Sequence, residues 1–215
     1  MFQTQRAAAL ALVVVTALAV GACGAKDTPR SDRSPTSPAP HPSNAVVVEP
    51  LETIPGAERI NVDGVGIDLA PGYVRSASGN QPDQTAVQIS KKGSSLAVLT
   101  LTVTRFSHTV TDGDLDAGLY AFRLQAQGLR GVTNIADIPV VWDVVAHPLG
   151  LEGVEHPTAE NSSDLRVISG READGDRTVA LQVWAEPGTS MEDSDGWRMA
   201  RTVRFDSAGS TAPPS

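Results

Sequence analysis

Residues 96–106 constrain this chain most, because Ala97, Leu99, Leu101 and Val103 alternate with Thr100, Thr102 and Thr104. A period of two puts the apolar set on one face of a strand and the threonines on the other. Such a strand needs neighbours and a covered apolar face, so a central antiparallel strand is expected. The cover expected for it is the one strong helical pattern. Leu115, Leu119, Phe122, Ala126 and Leu129 recur at intervals of four and three residues and make an apolar stripe. Asp112 or Asp114 can cap its start, and Gly128 and Gly131 mark its end.

Around this pair the pattern is mixed. Residues 59–69 read as a strand pair or a bent strand around Asp63-Gly64, followed by a turn at Ala70-Pro71-Gly72. A short strand is expected over 86–90, a turn at Lys91-Lys92-Gly93-Ser94, and an apolar strand carrying Trp142 over 139–146. Residues 147–163, with two His-Pro pairs and scattered glutamates, read as loop. Residues 165–169 and 178–185 make a hairpin whose turn signal is Asp174-Gly175. For 192–205, Trp197, Ala200 and Arg204 fit a helix, whereas Trp197, Met199, Val203 and Phe205 fit a strand spoiled by Arg201; a helix entering from Asp193 or Ser194 and leaving through a short extended end is favoured. The sum is an α+β fold: an antiparallel β-sheet with one main helix and a C-terminal helical segment packed on one face.

The N-terminus carries a different signal. Arg6 is the only charge ahead of an uncharged apolar run over residues 7–20, which leads into Val20-Gly21-Ala22-Cys23. The run is short for a permanent span, and small residues before a cysteine are what a lipoprotein signal peptidase accepts. The expected organisation is a signal peptide over 1–22, cleavage between Ala22 and Cys23, and lipid on Cys23. A Pro/Ser-rich tether over 23–50, a single domain over 51–206 and a disordered tail over 207–215 follow. In polyproline II form, at about 3.1 Å per residue, some twenty tether residues reach roughly 60 Å.

Cys23 is the only cysteine. Lipid on its sulfur leaves no thiol for a disulfide, a nucleophile or a thiolate metal site. Without Arg6 the chain carries 16 basic and 25 acidic side chains, a balance that argues against nucleic acid and against adsorption to anionic lipid. The expected membrane hold is therefore acyl chains on Cys23, at about 0.8 kcal/mol per buried methylene. Three lysines against fourteen arginines, with abundant Ala, Val and Gly, read as the coding bias of a GC-rich actinobacterial genome.

Catalytic signals are sparse. No Gly-x-Ser-x-Gly elbow occurs, and a Ser-His-Asp arrangement in the domain has to use His108, His147 or His156. The densest metal-ligating set is His147, Glu152, Glu155, His156 and Glu160, whose imidazoles and carboxylates suit zinc. Its spacing is not the one-face pairing of His-Glu-x-x-His, so His147 and His156 are weak candidates and exposed loop side chains are the plainer reading. Asp112-Gly113-Asp114-Leu115-Asp116 is like the start of a calcium loop, but Arg123 stands at the twelfth position, and helix capping explains the acids. Asp193-Ser194-Asp195-Gly196 is read likewise as turn and helix entry. Trp142, Trp184 and Trp197 could line a pocket, though core packing is preferred. No catalytic residue and no cofactor is assigned.

Val65-Gly66-Ile67-Asp68-Leu69-Ala70-Pro71-Gly72-Tyr73 resembles the apolar strand and Leu-Pro-x-Gly-aromatic opening of PsbP-like domains. The order that follows is similar too: two strands, a helix, a strand hairpin and a Trp-containing end at Val203-Arg204-Phe205. With a signal, a lipobox and a tether in front, the chain resembles the mycobacterial LpqN/LpqT type of lipoprotein. The resemblance implies a PsbP-like α/β/α sandwich on the extracytoplasmic face of the cell membrane. It also implies a non-catalytic binding or accessory role toward an envelope protein, lipid or glycan. The alternative class is a small extracytoplasmic hydrolase with an unrecognised serine or metal site. A hydrolase needs a cleft where one of the three histidines meets an acid and a hydroxyl; a binding module needs only a groove or patch.

Overall fold

The computed structural model describes residues 44–128, 132–158 and 161–206. In chain order its elements are β1 (Val46–Val47), β2 (Glu58–Val62), β3 (Val65–Leu69), β4 (Tyr73–Gln81), β5 (Gln84–Lys91), β6 (Ala97–Arg105) and α1 (Asp112–Gly128), then β7 (Val132–Ile138), β8 (Val140–Val141), β9 (Ala146–Thr158), β10 (Asn161–Arg171), β11 (Arg177–Trp184), α2 (Asp195–Ala200) and β12 (Arg204–Phe205). Seven strands form one antiparallel sheet in the order β4-β5-β6-β11-β10-β9-β7; β12, β3 and β2 form a smaller one, and β1 pairs in parallel with β8. The fold is thus mixed, with a large antiparallel sheet and few helices. As its alternation requires, β6 lies inside the sheet, between β5 and β11. The β2/β3 hairpin turns at Asp63 (φ 48°) and Gly64 (φ 81°), the pair of positive φ values that a two-residue hairpin turn demands.

The helices do not share a face. Cross-strand register aligns Val87, Leu101, Leu181 and Ile168 on one side of the large sheet. That side is buried under the small sheet and α2, with Ile60, Ile67, Trp197 and Met199 in the same apolar cluster. The main helix α1 packs on the opposite side, where Leu119 and Phe122 meet Leu151, Leu165 and Val167. The expectation that α1 covers Leu99, Leu101 and Val103 is therefore corrected. The reason lies in the other side of β5, β6 and β11, which offers Gln88, Thr100 and Gln182 in one polar row. On β10 both sides are apolar, Leu165 and Val167 one way and Ile168 the other, so the stripe of α1 settles there.

Within the stretch expected as loop, residues 147–158 belong to β9 and 161–163 open β10. Pro148 falls where the β9–β10 register shifts, beside His147 at φ 51°, and a bulge is where a strand tolerates proline. The strand expected over 139–146 shrinks to the two residues of β8, with Trp142 buried just after it. The folded region also starts before Leu51. The Val46 amide donates to the Pro139 carbonyl and the Val48 amide to the Val141 carbonyl, both at 2.8 Å, and Val48 is buried. For α2, Ser194 caps the start and β12 supplies the extended exit, as the spacing predicts.

Residues 1–43, with Ala22, Cys23, the expected signal and the expected tether up to residue 43, lie outside the described residues, as do Leu129, Gly131, Glu160 and 207–215. No helix among the described residues is long and apolar enough to cross a membrane.

Candidate functional site

Leu165-Arg166-Val167-Ile168 places one charge inside an apolar strand run. Register sets Arg166 opposite Val183 on β11 and Glu152 on β9, on the side of the sheet that faces α2, and leaves it only 5% exposed. Its guanidinium carbon lies 4.6 Å from the centre of the Trp197 ring, within cation–π range. Arg166 Nε donates to Glu152 Oε1 at 2.7 Å, and Nη2 donates to Glu192 Oε1 at 2.9 Å. The Nη2–Glu152 ion pair closes at 2.5 Å. Arg166 holds the Glu192 carboxyl below the usual carboxylate range, against the opposing pull of burial. Among the described residues, Arg166 Nη1 is buried without a hydrogen-bond partner. A buried donor left unmet costs about 1–3 kcal/mol.

Arg166, Glu152 and Glu192 line a cleft of about 380 Å³, completed by Asn134 on β7, Val154 on β9, Asp164 on β10, and Ser190 and Met191 ahead of α2. That volume falls inside the roughly 300–1,000 Å³ range of small-molecule and side-chain sites. Asp164 is exposed at the cleft and carries no ion pair among the described residues. Three carboxylates and one guanidinium thus line the cleft, with two of the carboxylates bound to that guanidinium. A second cavity, beneath Phe122 and Ala126 of α1, measures about 10 Å³, enough for one water at most.

The metal-ligating set read from the sequence is dispersed. His147 Nε2 approaches Asp116 Oδ1 at 3.2 Å and its Nδ1 approaches Asp112 Oδ2 at 3.6 Å, both on α1. Glu152 goes to Arg166, Glu155 accepts from the Trp184 indole N–H, and His156 Nε2 lies 3.2 Å from Thr133 Oγ1. Alternation along β9 sends Glu152 and Glu155 to opposite sides. Among the described residues no three His, Cys, Asp or Glu side chains could hold a metal ion.

The acids at the start of α1 are each occupied separately. Thr111, not Asp112 or Asp114, caps the helix: its hydroxyl accepts from the Asp114 amide at 3.3 Å, and Asp114 Oδ2 accepts from the Thr111 amide at 2.8 Å. Asp112 accepts from Arg171 Nε at 2.7 Å, and His108 Nε2 lies 3.3 Å from Asp114 Oδ2. Near α2, Asp193 accepts from Ser190, while Asp195 accepts from the Tyr73 hydroxyl at 2.7 Å. Burial and that carboxylate push the Tyr73 phenol up. Trp142 and Trp197 are core residues, and Trp184 packs half-buried beside Leu151, Leu165 and Val167.

Sequence reasoning reached Glu152 only as a metal ligand and did not single out Arg166, Asp164 or Glu192. The signal for Arg166 was available, since a lone charge between apolar strand residues must find a buried partner. No family model matches the chain. No curated protein matches it significantly either.

Proposed function

We propose that this chain is a lipid-anchored extracytoplasmic lipoprotein that acts as a non-catalytic binding module, with a PsbP-like domain of the LpqN/LpqT type. Cleavage after Ala22 and acylation of Cys23 would hold it on the outer face of the cell membrane. Its partner is an envelope protein, lipid or glycan, met at the Arg166 cleft. The observation that carries this reading is the cleft's chemistry: Arg166 is locked to Glu152 and Glu192, and the imidazoles nearest to acids, His108 and His147, serve the start of α1 instead. A fixed charge pattern lining a cleft suits recognition of a ligand. A hydrolase needs a mobile proton beside a nucleophile.

Native mass spectrometry of the chain isolated from an actinobacterial envelope tests this. A non-covalent mass retained by the wild type and lost when Glu152→Gln and Glu192→Gln are combined supports the reading. Turnover of an ester or glycoside substrate that depends on His108, His147 or His156 overturns it in favour of a hydrolase. Cys23→Ser tests the address independently: loss from the membrane fraction is expected, and unchanged acylation removes the anchor from the proposal.

A further inference from the structure

Lys91 and Lys92 stand side by side at one tip of the large sheet. Lys91 ends β5, and Lys92 opens the turn that runs through Gly93 (φ 85°) and Leu96 into β6. The turn is fixed by its own hydrogen bonds. The Lys92 amide donates to the Gly72 carbonyl and the Ser94 amide to the Lys91 carbonyl, both at 2.8 Å, and the Leu96 amide donates to Ser94 Oγ at 3.1 Å. Every residue of 91–96 is nevertheless exposed, and Leu96, at 66%, is the most exposed large apolar side chain among the described residues. Strand β4, paired with β5, adds exposed Val74 and Arg75 at the same end. An ordered turn that holds aliphatic side chains outward among cations suits a boundary between an apolar phase and anionic groups.

The positive charge is local. Between Leu69 and Thr111 the only acid is Asp83, at the far end of β5 and so roughly 23 Å away, more than two Debye lengths at physiological salt. Glu186 and Asp195 lie on the hydroxyl of buried Tyr73, and no carboxylate among the described residues forms an ion pair with Lys91, Lys92 or Arg75. The acids of the Arg166 cleft start at β10, three strand spacings from β5, or about 14 Å. The acidic surplus of the whole chain sets its far field, whereas a surface within a Debye length meets the tip.

Resting on the lipid-anchored reading above, we infer that the 91–96 tip docks on the anionic phospholipid headgroups of the membrane that holds the anchor. Leu96 enters the interface, and Lys91, Lys92 and Arg75 meet phosphates. A convex turn gives a peptide no groove to lie in, and a membrane needs none. The expected tether reaches roughly 60 Å, beyond the width of a domain of this size, about 40 Å, so the tip can turn to the bilayer. Three cations and one leucine are too few to hold a free acidic protein on lipid. A tethered domain is already present at an effective concentration of about millimolar order, and the tip then decides its orientation. Because β6 and β10 both run antiparallel to β11, the turn before β6 and the Asp164 end of β10 share one end of the sheet, and docking brings the cleft toward the membrane.

The test places the full acylated chain in nanodiscs of phosphatidylcholine, alone or mixed with phosphatidylglycerol, that carry a gadolinium-bearing headgroup lipid, and reads methyl broadening by NMR. Leu124, on α1 and 51% exposed, is the internal control. In the anionic discs the Leu96 methyls are expected to broaden well beyond those of Leu124 and less so as salt rises. The excess should fall about tenfold when Lys91→Gln and Lys92→Gln are combined. Both lysines are exposed, and unchanged thermal melting verifies the fold of the variant. Equal broadening of Leu96 and Leu124 overturns the inference, as does an excess at Leu96 that survives in phosphatidylcholine alone or in the double variant. Saturable shifts of Leu96 by acetyl-Gly-Glu-Gly-Glu-Gly-amide, without excess broadening in the discs, overturn the lipid assignment in favour of an acidic partner segment. A chain that enters no disc and carries no acyl mass on Cys23 removes the anchored reading instead, and the inference with it.

Discussion

The two helices of this protein are opposites. Helix α1 runs 17 residues and carries its own capping box, with Leu115 and Ala126 its only described buried side chains. Helix α2 has six residues, of which Gly196, Trp197, Met199 and Ala200 are buried, and its cap Ser194 is 0% exposed. Six residues are too few to hold a helix in water, where stability starts at roughly 12–15. Length therefore marks the helix that the local sequence can stabilise, and burial marks the one that the tertiary structure requires.

The contrast is broken most severely at Trp197. Trp197→Ala should cost about 3–5 kcal/mol in chemical denaturation, because it empties the core and removes the ring beneath Arg166. Gly196→Ala comes next: a methyl there would stand 2.5 Å from the Val98 carbonyl oxygen, a backbone atom, and 3.0 Å from Val183 Cγ1. The forced shift should cost about 1–3 kcal/mol. Matched cap deletions sharpen the comparison. Ser194→Ala should lose up to about 2 kcal/mol and Thr111→Ala nearer 0.5–1, since only the former strands buried groups. Equal losses would mean that α1 is as tightly integrated as α2. Hydrogen exchange gives the same test without mutation, with α1 amides opening locally and α2 amides only on global unfolding.

The smallest effect is acid sensitivity. The amide and hydroxyl of Thr111, with help from His108, hold the Asp114 carboxyl below the usual range against burial. Because the folded pKa is depressed, this contribution is complete above about pH 4 and fades as pH falls through the folded value. Asp114→Asn should flatten the acid limb of melting temperature against pH by less than about 1 kcal/mol. Asp68 should govern more of that limb. Burial alone would raise its carboxyl, yet Arg59 at 3.0 Å and the Ile54 amide at 3.0 Å hold it low, inside the small sheet that covers α2. An Asp68→Asn protein with an unchanged acid limb would refute this ranking.

What the sequence made legible was local. The period of two in β6, the stripe of α1, the Asp63-Gly64 and Asp174-Gly175 turns and the Ser194 entry all rest on neighbours within a few residues. Strands β4 and β7 were missed because edge strands need no apolar alternation, and β4 reads Tyr-Val-Arg-Ser-Ala-Ser-Gly-Asn-Gln. Strand β9 was hidden by its prolines, which only the β10 register shows to lie at irregularities. The side chosen by α1 depends on β10 being apolar on both faces, a pattern visible in Leu165, Val167 and Ile168 but meaningful only once its neighbours are known. For the cleft, Arg166, Glu152 and Glu192 converge from β10, β9 and a loop, and no spacing in the chain encodes that meeting.

The two outer strands of the large sheet share one irregularity. The β4–β5 register slips between Arg75 and Ala77, and the β7–β9 register slips between Thr133 and Ala136, where Asn134 takes φ 55°. An intact border would template a second copy of the chain, extending the ladder from molecule to molecule. Here both borders are crimped, so a neighbouring strand would lose its hydrogen-bond register part-way along. Copies crowded together would therefore collide without zipping, and the protein resists sheet-to-sheet polymerisation by backbone shape, whatever the charge on its surface.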